Sequence, residues 1–388
     1  MIAPAPGTPG WLALRNDRLA LSLLLDQGPL TRNRIGELTG LSKPTAAQIV
    51  SRLEDAGLIR TAGELSAGRG PNALTYDVRL DREVGVAVDV DESVLRATVV
   101  DVRGSRRPIA ELPFDPRHPR TAVNDIRGAV AAACDAAGVD RTSVAQVVIG
   151  VQAATDSASD RLSFTDTLDG WPMQNVRAQL EADLGVGVEI ENDVNLAAIA
   201  ERAEGVGGAA KSFALLWLGD GLGLSIDLAG TIHRGAAGSA GEIGYLPSPQ
   251  AALAIDPAAE DLQRLAGGPA VARVVTAVTG RIPAGYAEAL DALAAGDARD
   301  AVIAALATRI AHTVTPVIAI LDPELVVLGG PTGSAGGVAL ADAVGEVLRS
   351  TSDWNPTIRA TGAPADAVLL GARQVLIARL RERLLHDD

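Results

Sequence analysis

The chain has 388 residues, 47% of them apolar, and a formal net charge of −14. Such a length supports two or three domains with separate cores, and the acid excess, taken over the whole chain, argues against a nucleic-acid partner. The single cysteine, Cys134, permits neither an internal disulfide nor a cysteine-based zinc cluster. Charged residues also interrupt each apolar stretch before the roughly eighteen residues that a membrane span requires.

Residues 1 to 10 are rich in Pro, Ala and Gly and lack the basic and apolar regions of a signal peptide. They are expected to be a loose, disordered tail, and the chain is expected to be cytoplasmic. Arg15 to Asp26 has a helical pattern, Gly28-Pro29 interrupts it, and Thr31 is placed to cap a short helix ending at Thr39-Gly40. A third helix opens at Ser42-Lys43-Pro44, because Ser is a preferred N-cap and Pro is tolerated in the first turn. Ala46, Ile49, Val50 and Leu53 recur at i, i+3, i+4, i+7 and should face a core, leaving Lys43, Thr45, Gln48 and Arg52 outside. Such a helix after a short glycine-containing turn is the recognition helix of a helix-turn-helix. Two strand candidates follow, Gly57 to Thr61 and Leu74 to Val78, joined by the turn Ser66-Ala67-Gly68-Arg69-Gly70-Pro71. An Arg between glycines can approach a phosphate backbone or a minor groove closely. Residues 11 to 80 therefore read as a winged helix-turn-helix, with Ser42, Lys43, Thr45, Gln48, Arg52 and Arg69 as DNA-binding candidates on double-stranded operator DNA.

Dividing the charge supports this. Residues 1 to 80 hold nine basic against seven acidic side chains, a balance of +2, so the remainder carries −16. The basic excess lies in the head and the acid in the body.

From residue 81 short apolar strands alternate with helices, which indicates an α/β body. Strands are expected at Val84 to Val90, Val94 to Asp101, Val144 to Val151, Val188 to Glu191, Phe213 to Leu218, Leu222 to Leu228 and Leu325 to Leu328. Helices are expected at Ala122 to Ala137, Asn175 to Leu184, Val194 to Glu204, around 270 to 318, and at Ala367 to His386. No short-period repeat is evident.

Three blocks, Glu191-Asn192-Asp193-Val194-Asn195, Gly219-Asp220-Gly221-Leu222-Gly223 and Gly235 to Tyr245, resemble in order and spacing the ROK family of sugar-responsive repressors and sugar kinases. Asp322-Pro323-Glu324-Leu325 to Gly329-Gly330 is similar to that family's adenosine-side motif. The resemblance implies a two-lobed, actin-like sugar-kinase fold over 81 to 388, with the C-terminal helix returning to the first lobe. It further implies a ligand cleft between the lobes and assembly as a homodimer or homotetramer.

Departures from the family pattern decide between its two activities. Family kinases carry Asp-x-Gly-Gly-Thr after the first strand, and here the matching stretch is Asp89-Val90-Asp91-Glu92-Ser93. Carboxylates would stand where phosphates must come, and the glycines that admit them are missing. The family's zinc-binding Cys block is absent from Ala251 to Glu260, so no metal and no cofactor are expected, and Pro247 to Glu260 must be held by packing or be mobile. Asn192, Asp193 and Glu242 match sugar-binding positions, Thr167 stands where Asn is usual, Tyr245 replaces a His, and Gln263 falls where a second Glu is expected. Ala153-Ala154 replaces a Pro-Gly. The expectation is a DNA-binding regulator, a repressor rather than an enzyme, controlled by a neutral sugar-like effector. The alternatives are a sugar kinase with an added DNA-binding head and a regulator that has lost its ligand.

Overall fold

In the computed structural model, which describes residues 7–65, 73–114 and 119–386, helix α1 (Pro9–Gln27) starts from Thr8, whose hydroxyl accepts from the Trp11 N–H. Pro9 sits in the first turn, where its lost donor costs nothing. Pro9 and Gly10, assigned to the tail from sequence, are thus helical. Strand β1 (Leu30–Thr31) leads into α2 (Arg32–Thr39), which Thr31 caps at Arg34 N and Gly40 ends in the left-handed conformation. Helix α3 (Lys43–Asp55) and strands β2 (Ile59–Leu65) and β3 (Ala73–Val78) complete the head, in a sheet of order β1-β3-β2. Ala46, Ile49, Val50 and Leu53 are all buried, as their spacing requires, and the last three pack with Leu21, Leu24, Ile35 and Tyr76. The turn from Ser66 to Pro71, with Arg69, lies outside the described residues.

The first lobe contains β4 (Val84–Val90), β5 (Val94–Val100), β6 (Ile109–Pro113), α4 (Ala122–Ala137), β7 (Val144–Val151), the small hairpin β8 (Ala154–Asp156) and β9 (Arg161–Ser163), α5 (Val176–Leu184), and β10 (Gly187–Asn192). Its sheet runs β10-β7-β4-β5-β6, parallel through β10, β7 and β4. Helix α6 (Asp193–Glu204) leads to the second lobe: β11 (Ser212–Leu218), β12 (Leu222–Leu228), β13 (Thr231–Ile232), α7 (Gln250–Leu253), α8 (Leu262–Ala266), α9 (Gly268–Thr279), α10 (Tyr286–Ala294), α11 (Arg299–Leu321), β14 (Leu325–Gly329), α12 (Gly330–Thr351) and β15 (Thr357–Ala360). Its sheet runs β13-β12-β11-β14-β15. Each five-stranded sheet is a three-strand antiparallel meander whose first strand adds two parallel neighbours. The two lobes therefore repeat one topology that no sequence repeat announces. By length and composition α11 could cross a bilayer, against the sequence-based expectation. Ile303, Leu306, Ile310, Val314 and Ile318 bury it in the second lobe's core.

Helix α13 (Ala367–His386) returns to the first lobe, where Leu369, Leu376 and Val368 pack with Ala87, Val148 and Leu196. Its crossing with α6 is so close that a Cβ on Gly371 would lie 1.9 Å from Leu196 O.

In register, Val90 pairs with Val151 and Val151 with Asn192, so β4, β7 and β10 end at one edge of the sheet. Asp89 and Asp193 emerge there, at the carboxyl ends of parallel strands, where α/β sheets bind ligands.

Candidate DNA-reading face and ligand cleft

At the start of α3, Ser42 Oγ accepts from Thr45 N at 3.4 Å and lies 2.8 Å from Thr45 Oγ1. Both hydroxyls are engaged in the cap. Lys43 and Gln48 are exposed and make no side-chain hydrogen bond or ion pair among the described residues, which leaves them open to a groove. Arg52 is a correction to the sequence-based expectation. Its guanidinium forks onto Asp17 of α1, at 2.9 Å from Nε and 2.6 Å from Nη2, and that bond to the carboxylate raises its pKa. A bidentate pair of this kind braces α3 against α1 and must break before Arg52 can meet a base.

The head is tied to the body by a contact that sequence reasoning missed. Arg103, in the loop after β5, donates to both carboxylate oxygens of Asp77 on β3 and to Leu24 O at 2.5 Å. Arg381 of α13 donates to Val102 O at 3.1 Å and to Asp26 at 3.2 Å. Between these bonds Val102 and Leu380 join Leu21, Leu24 and Leu25 in one apolar cluster. The junction is not filled: a cavity of about 170 Å³ remains among Leu58, Arg79, Arg82, Val102, Leu380 and Leu384.

Three acids, Asp89, Asp193 and Glu242, stand close enough to act on one another. Burial and the neighbouring Asp91 push Asp89 up to about 7, against the opposing pull of Arg96. Asp193, surrounded by protein except where it meets the cleft, is likewise pushed to about 7 by burial. The Val194 N–H, 2.9 Å away, acts in the other direction, while Asp89 and Glu242 add repulsion. Burial also raises Glu242, whose carboxylate makes no hydrogen bond or ion pair among the described residues. The adjoining turn 89 to 93 is a closed hairpin. Asp91 N donates to Val94 O, Glu92 N donates to Asp91 Oδ1 at 2.7 Å, and Arg96 bridges Asp89 and Asp91 at 3.6 and 3.4 Å. The backbone donors of Asp91 and Glu92, which a phosphate would have to reach, are thus engaged within the turn.

The remaining ligand candidates divide. Asn192 caps α6 by accepting from Asn195 N at 3.0 Å and donates to Ala153 O at 3.1 Å, so its first duty is structural. Beside it lies a network the sequence did not disclose: Arg234 donates to buried Glu191 at 2.6 Å, Asn195 donates to Glu191 at 2.9 Å, and Ser225 donates to Asn195 at 2.8 Å. It joins β10 and α6 to the second lobe. Gln263 is a second correction, since its Oε1 accepts from Leu222 N at 2.6 Å and its Nε2 donates to Asp220 O at 3.0 Å. A glutamate could not make the second bond; the glutamine braces the 219 to 222 turn instead of presenting itself to a ligand. Thr167 stays half-buried in the 164 to 170 loop, 3.4 Å from Thr165 Oγ1. Tyr245 is 64% exposed and touches Phe164, which sequence reasoning did not single out. Glu242 and Tyr245 are positioned by the glycine loop before them: Gly238, at φ +72, meets β8 so closely that a Cβ would lie 1.9 Å from Thr155 O.

Only Gly329-Gly330 of the adenosine-side motif lies at the carboxyl end of β14. Glu324, at the other end, accepts from Lys211 N at 3.0 Å. The stretch 247 to 260 is held by packing. Pro247 pairs with Asp261, Ser248 N donates to Glu260 O, and buried Asp256 accepts from Arg273 at 3.0 Å and Arg309 at 2.8 Å. Burial works to raise Asp256, but the two guanidinium groups prevail and hold it below the usual carboxylate range.

The ROK family profile matches residues 85–379, and a winged helix-turn-helix DNA-binding profile matches residues 14–60. A glucokinase of Halalkalibacterium halodurans is 32% identical over 187 residues, covering 44% of this chain and 57% of that protein. The xylose repressor of Bacillus subtilis is 22% identical over 233 residues, 60% of each chain. The chain thus spans less than two thirds of the length of these relatives. Among solved structures, a ROK family transcriptional regulator described as a homolog of the Escherichia coli MLC protein superposes with a TM-score of 0.68 at 18% identity, over 96% of this chain and 99% of that one. A ROK family glucokinase from Streptomyces griseus gives 0.61 at 23% identity, over 76% and 99%. At these identities the structures establish the fold alone.

Proposed function

This chain belongs to the ROK family and carries a winged helix-turn-helix ahead of the family body, and we propose that it is a transcriptional repressor released from its operator by a neutral sugar. The observation that carries the reading is the closed turn at 89 to 93. Glucokinases and xylose repressors are both among its relatives, and a turn in which Asp91 N is held by Val94 O, Glu92 N by the Asp91 carboxylate and Arg96 by Asp89 and Asp91 favours the repressor. Asp193, raised to about 7, suits a kinase, since it could accept a hydroxyl proton at neutral pH. A base alone does not position a triphosphate.

In the regulator, sugar hydroxyls donate to Asp193 and Glu242 and draw the lobes together. Helix α13, packed on the first lobe and reaching under the head with Leu380 and Arg381, carries the movement to α1. In a dimer or tetramer this alters the spacing of the heads. A coupling of about 1–3 kcal/mol changes operator affinity roughly five- to 150-fold.

Binding-site selection with the full chain, followed by anisotropy titration of the selected duplex with and without neutral sugars, tests the reading. A pseudo-palindromic site whose affinity falls when a sugar is added is the expected result. ATP-dependent sugar phosphorylation that vanishes in Asp193→Asn would establish the kinase instead. Operator binding insensitive to every sugar, and to Asp193→Ala and Glu242→Ala, would establish a regulator without a ligand.

A further inference from the structure

Phe164 and Tyr245 form an exposed aromatic corner that joins the two lobes. Phe164 follows β9 of the first lobe and is 47% exposed, Tyr245 follows the glycine loop of the second, and their ring centroids lie 5.2 Å apart at 58°. Core packing does not explain either ring. The Phe164 backbone lies in the left-handed region, at φ +54, which a bulky residue seldom occupies. The local cost of that conformation is borne while the ring stays half in solvent. Thr165, Asp166 and Thr167 follow it directly, so hydroxyls and a carboxylate stand in the same loop as the ring. The corner also adjoins the acids: Tyr245 ends the single helical turn Ile243–Tyr245 that Glu242 opens, and Glu242 in turn acts on Asp193.

Aromatic faces with a polar rim match a sugar ring, whose C–H face is apolar and whose edge carries hydroxyls. We propose that the Phe164–Tyr245 corner is a second sugar subsite, which stacks the next ring of a neutral oligosaccharide whose first ring lies against Asp193 and Glu242. The inference rests on the sugar-cleft reading and narrows it: the effector has at least two rings.

Calorimetric titration of the full chain with xylose, glucose, xylobiose, cellobiose and maltose tests this. At least one disaccharide should bind more tightly than its own monosaccharide. In Phe164→Ala the ratio of the two affinities should fall about three- to tenfold, the size of a stacking contact, and Phe164→Trp should restore it. Melting curves of both variants verify that they fold. Equal affinity for mono- and disaccharide, or a Phe164→Ala variant with an unchanged ratio, would overturn the subsite and leave the sugar cleft standing. Failure of the wild-type chain to bind any of the five sugars would overturn the subsite together with the sugar reading itself.

Discussion

Replacing Asp193 by Asn should stabilise the protein at neutral pH while removing its response to sugar. The Asp193 carboxyl is raised from an ordinary value of 3.8 to about 7, first by burial. A folded-state pKa above the unfolded one means that the fold is favoured while the group is protonated. Its contribution is therefore fully present below about pH 4, declines as the pH rises, and is lost above about 7. A rise of some three units corresponds to about 4 kcal/mol. Solvent in the cleft and the repulsion shared with Asp89 and Glu242 reduce the part that Asp193→Asn recovers to about 1–2 kcal/mol. The assay is denaturant unfolding of wild type and Asp193→Asn at pH 4, 5.5, 7 and 8. The two should coincide near pH 4, and the variant should gain steadily until about pH 7, then hold a constant lead. A difference independent of pH, or a variant that weakens as pH rises, would refute the assignment of burial as the cause. Asp89, raised to about 7 by the same cause, should show the same sign in Asp89→Asn, with a smaller gain because Arg96 then loses a partner.

Gln48→Ala should relax base preference at one position per half-site, by roughly 1–3 kcal/mol, whereas Arg52→Ala should leave the selected sequence unchanged and lower the melting temperature of the head; a changed base preference in Arg52→Ala would return that residue to the DNA face. Arg69→Ala, proposed from sequence for a residue outside the described ones, should lower the salt slope of DNA binding by about one, and an unaltered slope would remove the wing from the interface. Arg103→Ala strands Asp77 and frees Leu24 O, a loss of about 1.5–3 kcal/mol at the junction; trypsin should then cut faster at Arg79 and Arg82, and operator release by sugar should weaken. Equal cleavage rates in variant and wild type would show that the junction does not depend on Arg103. Asp256→Ala leaves Arg309 buried without its carboxylate and should cost about 3 kcal/mol in thermal unfolding, with no recovery on adding zinc; recovery would mean that metal holds the 247 to 260 stretch.

The head was legible because its signals are local. Caps at Thr31 and Ser42, the left-handed Gly40 and the i, i+3, i+4, i+7 row on α3 each operate within a few residues, so a linear reading reaches them. Helix α12 escaped that reading, since five glycines and a proline in Gly330–Thr351 argue against a helix, and one of them, Gly337, does leave helical geometry at φ 54, ψ −147 and kinks the element. On either side of the kink burial outweighs propensity: Gly333 brings the first part so near β14 that a Cβ would lie 2.5 Å from Leu328 O. The short strands β6, β8, β9 and β15 were missed for the opposite reason, having little pattern of their own and existing through the partners that pair with them.

The same division runs through the site. The amino-acid sequence by itself determined which chemical groups are present: acids where a kinase turn would have glycines, no cysteine for zinc, and an uncharged recognition-helix tip apart from Lys43. Their availability was decided only by the fold, because a side chain's partner is often distant in the chain. Arg52 meets Asp17, 35 residues away, and Gln263 meets Asp220, 43 residues away, so both side chains already hold partners within the chain. Phe164 and Tyr245, 81 positions apart in the numbering, were brought together by the same packing. Periodicity and capping act through neighbours along the chain, whereas desolvation and pairing act through neighbours in space, and these decide which groups are free to bind.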